Sequence, residues 1–311
     1  MPEDRQITDW LAAPDHFLIE ADSADMPELL AQIADPPTLL YVSGNKEVLH
    51  LPALAIVGSR NPTRGGIQNA YEFAHHLASA GFCIVSGLAQ GIDTAAHKGA
   101  LDAGGKTVAF LGHGIDRVYP AENRELAQRI SETGALCSEY PIGSPPRREH
   151  FPQRNRLISG LCLGTLVVEA ARRSGSLISA RLAAEQGREI FALPGSIHNP
   201  LSRGCHQLIR QGAKLVECAG DIVSELGPLA GHLAQSGEIA EGRSTDDTPH
   251  DADYETLLSA LSYDPASADQ IASSCGLTID QVSSMLLILE LEGKVQMQAG
   301  GRYSISRASE I

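Results

Sequence analysis

Aromatic residues make up only 5% of these 311 residues, with a single tryptophan, and Lys plus Arg total 24 against 38 Asp plus Glu. Few aromatics beside 43% hydrophobic residues point to an aliphatic α/β core, well clear of the composition of disordered chains. The net charge of −14, taken alone, argues against nucleic acid as a ligand. No apolar run approaches the roughly 18 residues needed to cross a bilayer. The opening MPEDRQITDW has neither the basic nor the apolar region of a signal peptide, so a cytoplasmic protein with no membrane partner is expected. The six cysteines are scattered without a C-x-x-C pair; buried free thiols are expected rather than disulfides or a metal site. The first glycine turn, GSRNPTRGG, departs from G-x-G-x-x-G, and no acidic residue closes the second strand to hold a ribose. NAD is therefore not expected. A P-loop, H-E-x-x-H and G-x-S-x-G are missing as well, and no cofactor is implied.

The length suggests about two domains. Residues 1–50 form an acidic lead-in, with 10 Asp/Glu against 2 Lys/Arg, ending in the strand-like PPTLLYVSGN. Residues 51–226 then alternate apolar runs (54–58, 82–87, 107–112, 135–140, 165–170, 189–195, 213–217) with helical patterns (66–80, 91–103, 121–133, 176–187, 203–212). Continuous apolar strands between amphipathic helices predict a doubly wound, mostly parallel, Rossmann-like sheet covered on both faces. Residues 227–253, rich in Gly, Ser, Thr and Asp, read as a flexible linker. Residues 254–311 predict a winged-helix-like domain: helices at 254–263, 267–274 and 278–292, then a hairpin turning at Gly300-Gly301. From residue 215 onward there are 16 acidic and 4 basic residues, which suits a protein contact better than DNA phosphates.

Against this acidity stands one basic island. Residues 147–214 hold 11 Lys/Arg and 4 Asp/Glu, a balance of +7. Its arginines, one aromatic and two small-residue turns, in FPQRNRLISG and RRSGSLISA, suit single-stranded nucleic acid better than a lone phosphate. Glycine and serine also gather where the predicted strands end, at Gly58-Ser59-Arg60, Ser86-Gly87, Gly112-His113-Gly114 and Gly195-Ser196, as a phosphate-binding rim requires. Asp93 and His97 lie four apart on one helix; capping or orienting that helix is favoured over a catalytic pair.

Several of these segments carry a resemblance. AIVGSR (55–60), SGLAQGIDTAAHKGAL (86–101), YPAEN (119–123), SEYP (138–141), HFPQRNRLISGL (150–161), the run from GTLVVEAARRSGS to IFALPG (164–195) and LIRQGAKLV (208–216) resemble the DNA processing protein A family (DprA, also called Smf), in its order and spacing. The resemblance implies a non-enzymatic protein of natural transformation that binds and protects incoming single-stranded DNA, helps load the RecA recombinase, and forms a homodimer. The family's pocket carries over to Gly58, Ser59 and Arg60, to Arg148 and Phe151, to Arg154, Asn155 and Arg156, and to Ser174, Gly175 and Ser176. Phe151 as mere core, and Arg154 or Arg156 held by Glu169, are the alternatives. Many members carry a helical SAM-like domain before the sheet, which this chain begins too late to hold. Some place a lysine at the position of Ala121. The competing class is a nucleotide phosphoribohydrolase-like enzyme, whose P-G-G-x-G-T-x-x-E motif is echoed only by Gly164-Thr165 and Glu169.

Overall fold

The apolar runs become the strands of one sheet, because each is buried on both faces by the helices that connect it to the next. The computed structural model describes residues 2–236, 266–267, 270–272, 282, 286, 289, 295–298 and 302–305. It divides into two compact units, residues 1–239 and 240–311.

In the first unit, helix α1 (Pro2–Leu11) precedes strand β1 (His16–Glu20), the short helix α2 (Glu28–Ala31) and strand β2 (Leu39–Gly44). The alternating part follows. Strand β3 (Ala53–Val57) leads to α3 (Arg64–Ser79), β4 (Cys83–Ser86) to α4 (Ile92–Asp102), and β5 (Thr107–Phe110) to α5 (Arg124–Thr133). Then come β6 (Ala135–Ser138) with α6 (His150–Gly160), β7 (Gly164–Val167) with α7 (Ser176–Glu185), and β8 (Glu189–Ala192) with α8 (Ser202–Arg210). Strand β9 (Lys214–Leu215) and helix α9 (Ala219–Ser236) complete the unit. The strand order is β1-β2-β6-β5-β4-β3-β7-β8-β9. From β6 to β9 every pairing is parallel, whereas β2 runs antiparallel to both β6 and β1. The Rossmann-like sheet is thus present, and the acidic lead-in supplies its two antiparallel strands.

Fully buried Phe110 and Phe191 sit on the interior strands β5 and β8; burial of each contributes about 1.5–3 kcal/mol. Cys83, Cys137, Cys162 and Cys205 are buried free thiols, while Cys275 lies outside the described residues. Burial pushes the Cys83 thiol up to about 12, so these cysteines serve as core. Among the described residues no helix is long and apolar enough to cross a membrane.

Two elements differ from the sequence expectation. The stretch 150–160 folds as α6, which the sequence pattern does not predict; it buries Leu157 and Ile158 in the core but places the buried Arg154 beside them, so its apolar stripe is broken by a charge. Helix α9 continues to Ser236, ten residues into the expected linker.

In the second unit, β10 (Ala266–Ser267), β11 (Val295–Gln298) and β12 (Arg302–Ile305) form an antiparallel sheet in the order β10-β12-β11. The β11–β12 pair is the expected hairpin, with its turn outside the described residues. The helix expected at 254–263 also lies outside them. Residues 270–272 are helical, as are Val282, Leu286 and Leu289, which are buried at i, i+4, i+7 spacing.

Candidate nucleic-acid interface

The sheet reverses its winding between β3 and β7. Loops leaving these two neighbouring strands diverge, which opens a crevice beyond their carboxyl ends. A cavity of about 660 Å³ fills the crevice. Nine of the eleven expected residues line it: Gly58, Arg60, Arg148, Phe151, Arg154, Asn155, Ser174, Gly175 and Ser176. Ser59 and Arg156 are not in its lining. Ser59 closes the turn instead, accepting from the Asn61 N–H at 3.1 Å through its hydroxyl and from the Ile92 N–H at 3.2 Å through its carbonyl.

Helix α6 explains the split. Phe151, Arg154, Asn155 and Ile158 recur at i, i+3, i+4, i+7 and all face the cavity. Pro152 falls in the first turn, where its missing N–H is no loss. Arg156 leaves that face and donates to Glu139 at 2.8 and 2.6 Å and to Asp35 at 2.9 Å. Burial pulls its guanidinium down, but Glu139 and Asp35 outweigh this and hold it raised.

Arg154 is only 3% exposed. It donates to the Gly87 carbonyl at 2.9 Å and to the Phe110 carbonyl, tying together the ends of β4 and β5. A Cβ on Gly87 would lie 2.5 Å from this guanidinium, so the approach requires glycine. Burial lowers Arg154 to about 10 while Asp93 works the other way; it stays cationic at neutral pH. Burial in turn raises Asp93, against the pull of Arg154 and of the Ala89 and Gly87 N–H groups, which donate to it at 3.3 and 3.1 Å. These bonds hold Leu88 at φ +56°, a conformation that costs a non-glycine residue about 1–3 kcal/mol. Asn123 fixes the same turn, its amide donating to the Leu88 carbonyl at 2.9 Å.

Neither arginine is held by Glu169, contrary to the alternative raised from sequence. That carboxylate accepts from the Thr63 N–H at 2.9 Å and hydroxyl at 2.7 Å, and from the Asn199 amide at 3.4 Å. It is buried and consumed in fastening the start of α3, which disfavours the hydrolase reading. His97 is also no catalytic partner of Asp93. Its Nδ1 lies 2.7 Å from the Thr107 hydroxyl, which donates to the Ile84 carbonyl and so accepts from the imidazole. Burial lowers its pKa to about 3, so it is a neutral core residue. No cluster of metal-ligating side chains occurs among the described residues.

Arg60 and Arg148 differ from Arg154: both are exposed and form no ion pair among the described residues. The Arg60 guanidinium lies 5.3 Å from the centroid of the half-buried Phe151 ring. That ring packs over Gly112, where a Cβ would come within 3.0 Å of it, and stands 5.8 Å from Tyr119. At the opposite wall the Ser174 and Ser176 hydroxyls are 2.6 Å apart. The first α7 amides have local partners, Ser176 N–H donating to Ser174 Oγ and Ile178 N–H to the Gly175 carbonyl. This turn therefore offers hydroxyls and the positive end of a helix dipole, with these amides already engaged. Sequence reasoning missed Tyr119 as a lining residue; the family-like segment YPAEN held the signal.

Comparison with known proteins identifies the chain's relatives. A family model described as DNA recombination-mediator protein A matches residues 17–227, and one described as the DprA winged helix domain matches residues 241–301. The chain is 42% identical over 303 residues to protein Smf of Escherichia coli, covering 97% of this chain and 81% of that protein. It is 48% identical over 196 residues to the DNA processing protein DprA of Streptococcus pneumoniae, covering 63% and 69%. The X-ray structure of DNA processing protein A from Streptococcus pneumoniae superposes with a TM-score of 0.67 at 43% identity, covering 71% of this chain and 77% of that one. A Helicobacter pylori DNA processing protein A structure, described for its single-stranded DNA binding mode, gives 0.62 at 31% identity, covering 68% and 96%. With a family model spanning two thirds of its residues and the fold of two solved members, this chain belongs to the DNA processing protein A (DprA/Smf) family.

Proposed function

We propose that this protein binds single-stranded DNA in the switch-point crevice, in the cytoplasm, as a non-enzymatic carrier during DNA uptake. The observation that carries the reading is the convergence of two unpaired exposed arginines, one buried arginine and a half-buried aromatic ring on one cavity. Cations meet phosphates, and the Phe151 ring offers a stacking face. A single strand can splay a base into such a cavity, whereas a duplex keeps its bases stacked inside. The single-stranded DNA named for the Helicobacter pylori relative supports the same ligand. Family membership supports the wider role: protecting the incoming strand, passing it to the RecA recombinase, and acting as a homodimer.

The test is a salt titration against single- and double-stranded oligonucleotides. Four arginines in the pocket would give a log–log slope of roughly −3; with Arg156 held by Glu139 and Arg154 buried on backbone carbonyls, the two exposed arginines give about −1.4. Arg60→Ala should flatten the slope by about 0.7. Equal affinity for blunt duplex and single strand, or a slope near zero, rejects the crevice as a single-strand site. RecA activity on coated single strands, measured with and without this protein, tests the loading role.

A further inference from the structure

A second cavity, of about 340 Å³, adjoins the first. The two share Arg60, Ala89, Tyr119 and Phe151, so the paired rings of Tyr119 and Phe151 form a ridge between them. We propose that this second cavity is a base subsite, entered as the strand crosses the ridge, and that it favours bases carrying an exocyclic amino group. The proposal rests on the single-strand reading above.

Charge separates the two cavities. Three arginines and one aspartate line the first, which suits a phosphate. In the second, Arg60 is the one cation in the lining, which also holds Glu122 and Gln90. A phosphate beside Glu122 would be repelled, whereas a neutral base would not. Tyr119 is 49% exposed, an unusually open ring for an aromatic, and Val118 and Pro120 extend the apolar wall. Ring and wall together fit the flat face of a base.

The polar groups then choose among bases. Glu122 and Gln90 are exposed and form no hydrogen bond or ion pair among the described residues. A carboxylate only accepts, so it matches the N4 amino group of cytosine; a glutamine amide matches the N6 and N7 edge of adenine. Thymine presents no exocyclic amino group to either. The turn that carries Glu122 is held in place by Asn123, whose amide donates to the Leu88 carbonyl and the Thr94 hydroxyl, both at 2.9 Å. Glu122 therefore approaches the cavity from a fixed backbone.

Oligo-dC and oligo-dT of equal length, titrated by fluorescence anisotropy at matched salt, test this. Wild type should prefer oligo-dC by at least about tenfold, the size of one added hydrogen bond to a charged acceptor. Glu122→Ala should bring the ratio to within twofold, mainly by weakening oligo-dC. Tyr119→Ala should weaken both strands about tenfold, with an unchanged melting temperature and salt slope, while Tyr119→Phe keeps wild-type affinity. A dC/dT ratio that Glu122→Ala leaves unchanged overturns the base preference. Tyr119→Ala within twofold of wild type, folded and still salt-sensitive, overturns the subsite while leaving the single-strand reading intact. A wild-type protein that binds neither oligonucleotide removes both.

Discussion

The switch-point crevice and the C-terminal unit carry opposite charge within one chain. Around the crevice, Arg60 and Arg148 stand exposed and unpaired beside the buried Arg154. Residues 240–311 hold 12 acidic residues against 4 basic ones. The net charge of −14 averages these and misleads: what a phosphate meets is the local field, which falls off within about 10 Å at ordinary salt. A related contrast operates on α6 itself. Arg154 and Arg156 are two residues apart, yet one points into the cavity while the other is locked to Glu139 and Asp35. A basic residue in a basic segment offers a phosphate contact only when its partners leave it free, as they leave Arg60 and Arg148; Arg154 shapes the cavity from within.

Four substitutions or cuts sharpen this contrast. The largest effect is expected from Arg154→Ala, which strips Asp93 of its buried counter-charge and releases the Gly87 and Phe110 carbonyls. A loss of about 3–5 kcal/mol of stability, read from urea unfolding, should accompany loss of strand binding; a loss below about 1 kcal/mol would show the buried pair to be dispensable. Phe151→Ala should lower single-strand affinity by roughly 1–3 kcal/mol with the salt slope unchanged. If its melting temperature falls and its affinity holds, the ring over Gly112 is core and not a stacking platform.

Arg156→Ala should separate the two faces of α6. Single-strand affinity should stay within about twofold, roughly 0.4 kcal/mol, while stability falls by about 1.5–3 kcal/mol as its bonds to Glu139 are lost. A tenfold affinity loss at unchanged stability would instead return Arg156 to the site. The smallest effect is expected from ending the chain near Ser244: affinity within about threefold, roughly 0.6 kcal/mol, because the removed part offers almost no cation to a phosphate. A tenfold or larger loss for the shortened chain, with its self-association intact, would mean that the acidic unit touches DNA.

The sequence by itself determined the parallel sheet. Its apolar runs and intervening amphipathic patterns are local signals, fixed by burial on two faces or one, and they recur at β3 to β9 and in α3, α4, α5, α7 and α8. It also determined which loops crowd the carboxyl edge, since Gly58, Ser86-Gly87 and Gly112 follow directly from where strands stop. Strand order was beyond it, because no local pattern says that β3 lies beside β7, and that adjacency creates the crevice. Helix α6 was beyond it too: the helix buries Arg154 beside Leu157 and Ile158, and a charge within the buried face interrupts the hydrophobic periodicity. The tertiary structure alone decided that Arg156 belongs to Glu139, that Glu169 belongs to Thr63, and that Tyr119 stands against Phe151. Each is a contact between residues 17 to 106 positions apart, and such pairings arise from how the layers pack, not from any local signal along the chain.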